Sequence, residues 1–286
     1  MAALRSGLRL WPMLGLLLVL GHATAQTPTP APVRVVVIGG LVGSGFWQRL
    51  APKVEAATGT ALVLVGSGNK EAIVPLFTQR QADLMLIHGS DEVMALLADG
   101  QAGRVTAWGA NEHVIVGPAD DPAGVRQAKN GSEAVQKIAA SGAPFVAFDD
   151  PGSHAIVQKL WRIAGTRPPA GGWRLPDEAV RAQQIVEFAA QRKAYVVTGH
   201  IPVAYGKMQS PGMAVLLKGD PAMRRPYVLV EQPDAPTHVA ATATTRVVGY
   251  LASPAGQADV AQAGFDRGEP WIFPVRPARA DKAQGG

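Results

Sequence analysis

Apolar residues along this chain come in short dense blocks, and between the blocks they recur at the three-to-four-residue spacing of a helix. Residues 33–38 form an almost unbroken β-branched run, the pattern of a strand buried on both faces of a parallel sheet, and Gly39 and Gly40 end it. Phe46, Leu50 and Val54 then keep helical spacing, with Ser44 as the expected cap and Gly59 as the stop after Thr58. A second strand is predicted over 61–65, followed by the turn Gly66-Ser67-Gly68-Asn69-Lys70 and a helix carrying Ile73, Leu76 and Phe77. Residues 84–88 read as a third strand and 90–98 as a third helix. This β-α-β-α-β-α order predicts an α/β layer whose ligands bind beyond the carboxyl ends of the strands, at 39–44, 66–70 and 88–90.

The pattern then restarts. An apolar strand over 112–118 leads into a polar turn at 120–124, after which helices are predicted at 132–140, 154–164 and 178–190, and strands at 145–148, 194–198 and 213–217. Residues 227–231 form a second isolated apolar strand, followed by helices over 239–251 and 255–263. Two apolar strands bracketing an inserted α/β unit predict an α/β protein of two lobes, each a mostly parallel sheet flanked by helices. Lobe I is expected from 33–111 and 226–276 and lobe II from 112–225, with the two strands as hinges and a cleft between the lobes.

Composition adds a compartment. Arg5 and Arg9 precede an apolar run over 10–20 and an A-x-A site at Ala23-Thr24-Ala25, so residues 1–25 read as a signal peptide and the mature chain as periplasmic. The run is shorter than the ~20 residues of a membrane span. Residues 26–32 are expected to be a flexible lead-in and 277–286 a disordered tail. Twenty-seven Lys and Arg against 22 Asp and Glu give only +5, and the arginines are scattered, which argues against nucleic acid. Absent cysteine removes disulfides, thiolate metal sites and a cysteine nucleophile.

The most informative stretch is V-A-F-D-D-P-G-S-H at 146–154, a strand joined to a helix through a polar turn. Asp150 is placed to cap that helix, Pro151 suits its first turn, and the free N–H groups there favour an anion. Lys70 beside Gly66-Ser67-Gly68 offers a similar anion cradle, although no Walker loop is present. His88, His154 and His200 each fall at or near a strand's carboxyl end, as turn residues, anion partners or metal ligands; no H-E-x-x-H pair supports a metal. No G-x-S-x-G elbow occurs, and the adjacent Asp149 and Asp150 point apart too readily to share a proton, so no catalytic residue and no cofactor are expected.

Several stretches resemble the tungstate-binding group of ABC-transporter substrate-binding proteins, of the type II, phosphate-binding-protein-like fold. The resemblance is carried by Ser44-Gly45 with Leu50-Ala51-Pro52 and Thr58-Gly59, by Gln81-Ala82-Asp83, by Val116-Gly117-Pro118 with Asp121-Pro122-Ala123-Gly124, and by Gly142-Ala143-Pro144-Phe145-Val146. It continues through Asp149-Asp150-Pro151-Gly152-Ser153-His154, Lys218-Gly219-Asp220-Pro221-Ala222 and Ser253-Pro254-Ala255-Gly256-Gln257. It implies a periplasmic two-lobed receptor that closes on a small oxyanion and delivers it to a membrane permease. Three departures stand out. The threonine-rich turn of the family is replaced by Gly39-Gly40-Leu41-Val42, its arginine before the second-lobe turn is absent where Phe148 stands, and a T-D-R pattern becomes Thr198-Gly199-His200.

The function expected is therefore a non-catalytic solute receptor for a tungstate- or molybdate-like oxyanion or a related small ligand, monomeric, with an ABC permease as partner. Its expected contacts are Ser44, Ser67, Lys70 and His88 from one lobe and Ser153, His154 and Thr198 from the other. The alternative is an exported sensor or interaction module of the same fold.

Overall fold

The computed structural model describes residues 31–233 and 239–275. The expected signal peptide at 1–25 and tail at 277–286 lie outside the described residues. The chain begins as predicted, with β1 (Val33–Ile38), but Gly39–Gly43 then forms a short helix, α1, before α2 (Phe46–Thr58). Ser44 closes α1 rather than capping α2, whose N-cap is Gly45 at φ 73, a left-handed conformation that suits glycine. Strand β2 (Leu62–Gly68) continues through the predicted glycine turn, and Asn69 starts α3 (Lys70–Thr78) by accepting the Ala72 N–H at 3.2 Å. Then come β3 (Leu84–His88) and α4 (Asp91–Ala98).

Strand β4 (Val105–Pro118) is twice the predicted length and joins the two halves of the molecule. After it come α5 (Gly131–Ser141), β5 (Phe145–Ala147), α6 (Pro151–Ile163), β6 (Arg174–Pro176), α7 (Ile185–Gln191), β7 (Tyr195–Gly199), α8 (His200–Ala204) and β8 (Met213–Leu217). The helix predicted over 178–190 shrinks to α7 because Glu178 and Ala179 adopt positive φ, at 52 and 55. Strand β9 (Arg224–Glu231) leads on to α9 (Val239–Ala252), α10 (Pro254–Ala263) and three short strands, β10 (Phe265–Asp266), β11 (Glu269–Pro270) and β12 (Ile272–Pro274).

The strands run in the order β2-β1-β3-β9-β4-β7-β5-β6. Pairing is parallel at both ends, among β2, β1 and β3 and among β7, β5 and β6. It is antiparallel in the middle, where residues 105–112 of β4 pair with β9 and residues 113–118 pair with β7 and β8. The β-branched strands predicted from the sequence are buried as expected, with Val33, Val35, Val36 and Val37 fully inaccessible.

Three buried clusters follow from this layout. One surrounds β1, β3 and β9, and it includes Trp108, Tyr227 and Val247; the other two cover the faces of β5 and β7. Ile201 of α8 belongs to the first cluster although its neighbours in sequence, Val196 and Val197, belong to the others. Helix α8 therefore bridges the halves. Tyr205 just beyond it donates to Asp266 at 2.6 Å, and the Arg267 guanidinium lies 4.4 Å from the Tyr205 ring.

Candidate functional site

A cavity of about 430 Å³ opens where the two halves meet. Its walls come from Ile38, Gly39 and Gly40 after β1, His88 at the end of β3, Asn111 and His113 on β4, Arg225 and Tyr227 on β9, Phe148 and Asp150 before α6, and Thr198 with α8. This is the place that α/β sheets offer, since strand carboxyl ends expose backbone and loops rather than packed side chains.

The chemistry concentrates at the start of α6. Asp150 caps the helix by accepting the Ser153 N–H at 2.9 Å, as its sequence position predicts, and Pro151 fills the first turn. Of the donors expected there, Pro151 has none and Ser153 is taken by the cap. Gly152 packs under three polar groups from different elements. A Cβ added to it would stand 2.4 Å from Arg225 Nη1, 3.0 Å from Asp150 Oδ2 and 3.1 Å from His113 Nε2. A guanidinium, a carboxylate and an imidazole thus converge on one backbone position.

Arg225 makes no hydrogen bond or ion pair within 4 Å among the described residues. Burial lowers its pKa and the nearby Asp150 charge opposes that shift, yet an arginine stays charged. Burial also pulls His113 down to about 4, against the raising effect of Asp150 and with the help of Arg225. His88, stacked 4.6 Å from the Tyr227 ring, is held well below its usual value by burial, then by Arg225, His113 and Lys70. Both imidazoles are neutral at pH 7. The buried Asn111 Oδ1 has no hydrogen-bond partner, while the His113 ring leans on the Met223 backbone without a well-aligned bond at Nδ1. Orphaned buried polar atoms are rare in folded proteins, and the Asn111 oxygen beside an unpaired cation makes this cavity the candidate site.

The two histidines carry a pH signature. Between pH 6.5 and about 4 the unfolded chain takes up a proton on His113 that the folded chain refuses, so stability falls as pH falls through that window. Urea titrations at pH 7 and pH 4.5 are expected to differ by roughly 2 kcal/mol or more from this residue, at 1.36 kcal/mol per unit. His113→Asn is expected to flatten the dependence; an unchanged slope in that variant would show that other groups govern it.

A second, larger cavity of about 660 Å³ lies on the other side of α8. Its Lys218 is already paired with Glu269, and its Arg267 is stacked over Tyr205. The smaller cavity, where polar groups lack partners, is the better candidate.

Among the residues expected from sequence, His88 and Thr198 line that cavity, Thr198 with its hydroxyl 3.4 Å from Met208 Sδ. The others are placed elsewhere. Ser44 is buried and donates to Leu41 O at 3.3 Å, and Ser67 is exposed on β2. Lys70 is occupied by Ser90 at 3.1 Å and Glu92 at 2.9 Å. Ser153 is buried with its hydroxyl unpaired but off the cavity wall, and His154 is exposed on α6. His200 is buried against Glu112 at 3.1 Å, and among the described residues no three His, Asp or Glu side chains are grouped as metal ligands.

Asn111, His113, Lys207 and Arg225 were not anticipated. The cation beside the start of α6 comes from β9, two residues ahead of Tyr227 and immediately before Pro226. A polar residue opening an isolated apolar strand at a lobe junction was the available signal.

No protein-family model matches the chain. A Haloferax volcanii protein described as a candidate ABC transporter anion-binding protein is 28% identical over 223 residues, covering 75% of this chain and 64% of its own length. The tungstate-binding protein TupA of Peptoclostridium acidaminophilum is 22% identical over 270 residues, which are 89% of this chain and 92% of that protein. In three dimensions, the tungstate-binding protein TupA from Desulfovibrio alaskensis G20 superposes with a TM-score of 0.68 at 25% identity, covering 86% of this chain and 99% of that one. In sequence and in fold alike, the chain resembles the tungstate-binding type of periplasmic ABC-transporter substrate-binding protein.

Proposed function

We propose that this chain is a non-catalytic periplasmic receptor that captures a small anion between its two halves and presents it to an ABC permease. The supporting observation is the unpaired Arg225, set beside the orphaned Asn111 oxygen and the neutral His113 ring at the positive end of α6. A desolvated anion needs compensating charge and charge-assisted hydrogen bonds, and Arg225 supplies both. The crossings of β4 and β9 between the halves serve as hinges, residues 33–111 and 226–276 forming one lobe and 112–225 the other. Helix α8 carries the second lobe onto the first. The leader at 1–25 directs export, and the receptor works as a monomer.

Thermal melts of the purified chain test this. An anion at a hundred times its dissociation constant adds about 2.7 kcal/mol and raises the midpoint visibly. Tungstate, molybdate, sulfate, phosphate and small carboxylates form the panel. If none shifts the midpoint, the receptor reading fails.

A further inference from the structure

Within the anion-receptor reading, the cavity has dimensions and a charge that a tetrahedral metal oxyanion does not use. A water molecule occupies about 30 Å³ of liquid, so an oxyanion of four oxygens needs roughly 120 Å³ at most, one water-sized volume per oxygen. The cavity is about 430 Å³, in the range that encloses organic ligands. It is bridged at one point and open elsewhere: Lys207 Nζ, beyond α8, lies 3.0 Å from where a Cβ on Gly43 of α1 would stand, and Tyr205 is tied to Asp266.

The walls are of two kinds. Asn111, His113, Asp150 and Arg225 form a polar wall around the start of α6, whereas Ile201, Pro202 and Met208 on and after α8, together with Phe148, present hydrocarbon, sulfur and an aromatic ring. An inorganic oxyanion on Arg225 would leave the second wall against water. A ligand with an acidic head and an apolar body would cover both.

Charge narrows the class further. Arg225 and Lys207 contribute two positive charges and Asp150 one negative, with His88 and His113 neutral, so the lining carries a net +1. A dianion would remain uncompensated beside the Asp150 carboxylate. A monoanion balances the site.

We infer that the cleft takes a monocarboxylate with an apolar body, its carboxylate on Arg225 and its hydrocarbon against Phe148, Ile201 and Met208. The Asn111 Oδ1 acceptor would receive a hydroxyl or N–H group carried near the head.

Isothermal titration of the purified chain with propionate, hexanoate, adipate, benzoate, tungstate, molybdate and sulfate tests this. Hexanoate is expected to bind at least tenfold more tightly than propionate, since each buried methylene contributes about fourfold. It is also expected to exceed adipate, equal in carbon number but dianionic, and all three inorganic anions. Tungstate or molybdate binding as tightly as the best carboxylate, or carboxylate affinity independent of chain length, would overturn the inference while leaving the receptor reading in place. Binding by none of the seven would overturn both. Phe148→Asn is expected to weaken hexanoate and benzoate at least fivefold while changing propionate less than twofold; equal losses for all three would place the hydrocarbon elsewhere.

Discussion

Replacing Arg225 by glutamine is expected to reduce affinity for the captured anion at least 100-fold while leaving the chain folded. The guanidinium is the cation nearest the start of α6 and its charge is unmatched by any hydrogen bond or ion pair among the described residues. Removing one member of a buried charge contact costs roughly 2–5 kcal/mol, a factor of about 30 to several thousand. Little folding energy is lost, since no internal bond of Arg225 is broken. Gly152→Ala provides the complementary test. Its new Cβ would meet Arg225 Nη1 at 2.4 Å, so the guanidinium must move while its charge stays in the cleft. Affinity is expected to fall about tenfold and the melting temperature to fall with it. The Cβ also crowds the capping Asp150 carboxylate at 3.0 Å and the buried His113 ring at 3.1 Å, which outweighs alanine's preference for the helix. Titration calorimetry reads both variants. Wild-type affinity in Arg225→Gln would remove the anion site from this cavity.

Trp108→Ala is expected to give the largest loss of stability among single changes considered for the first core. Trp108 is fully buried on β4, with its ring 5.8 Å from Phe46 and 5.9 Å from Tyr227. Its indole N–H has no partner, so truncation costs packing rather than a hydrogen bond. Large-to-alanine changes of aromatic residues in cores cost about 3–5 kcal/mol. For a chain of this size that corresponds to a midpoint lower by roughly 10 °C. The effect reaches the cleft through Tyr227, on which His88 stacks. Thermal melts followed by circular dichroism measure it, and a loss below about 1 kcal/mol would contradict the packing described.

Burial patterns made much of the fold legible. The run at 33–38, the capped helix after Asp150 and the strand ending at Pro118 all follow from local sequence, because a buried strand needs continuous β-branched residues and a helix start needs a capping acceptor. Less legible were α1, built from glycines without helical spacing, and α8, whose five residues are too few to show a period. The candidate contacts failed to converge for a related reason. Ser44, Ser67 and Lys70 stand in the predicted turns, but their side chains are spent on Leu41, on solvent and on Glu92.

By itself the sequence determined an α/β chain of two units, strands whose carboxyl ends border a cleft, and a capped helix at 151 facing it. Local rules suffice for these, since each depends on residues close together in the chain. Only the tertiary structure decided what the cleft contains. Asp150, His113 and Arg225 are separated by 37 and 75 residues along the sequence, yet the antiparallel pairing of β4 with β9 and the packing of α6 bring them around Gly152. Charge balance in a cavity is a property of side chains gathered from distant segments, so no local pattern could reveal it.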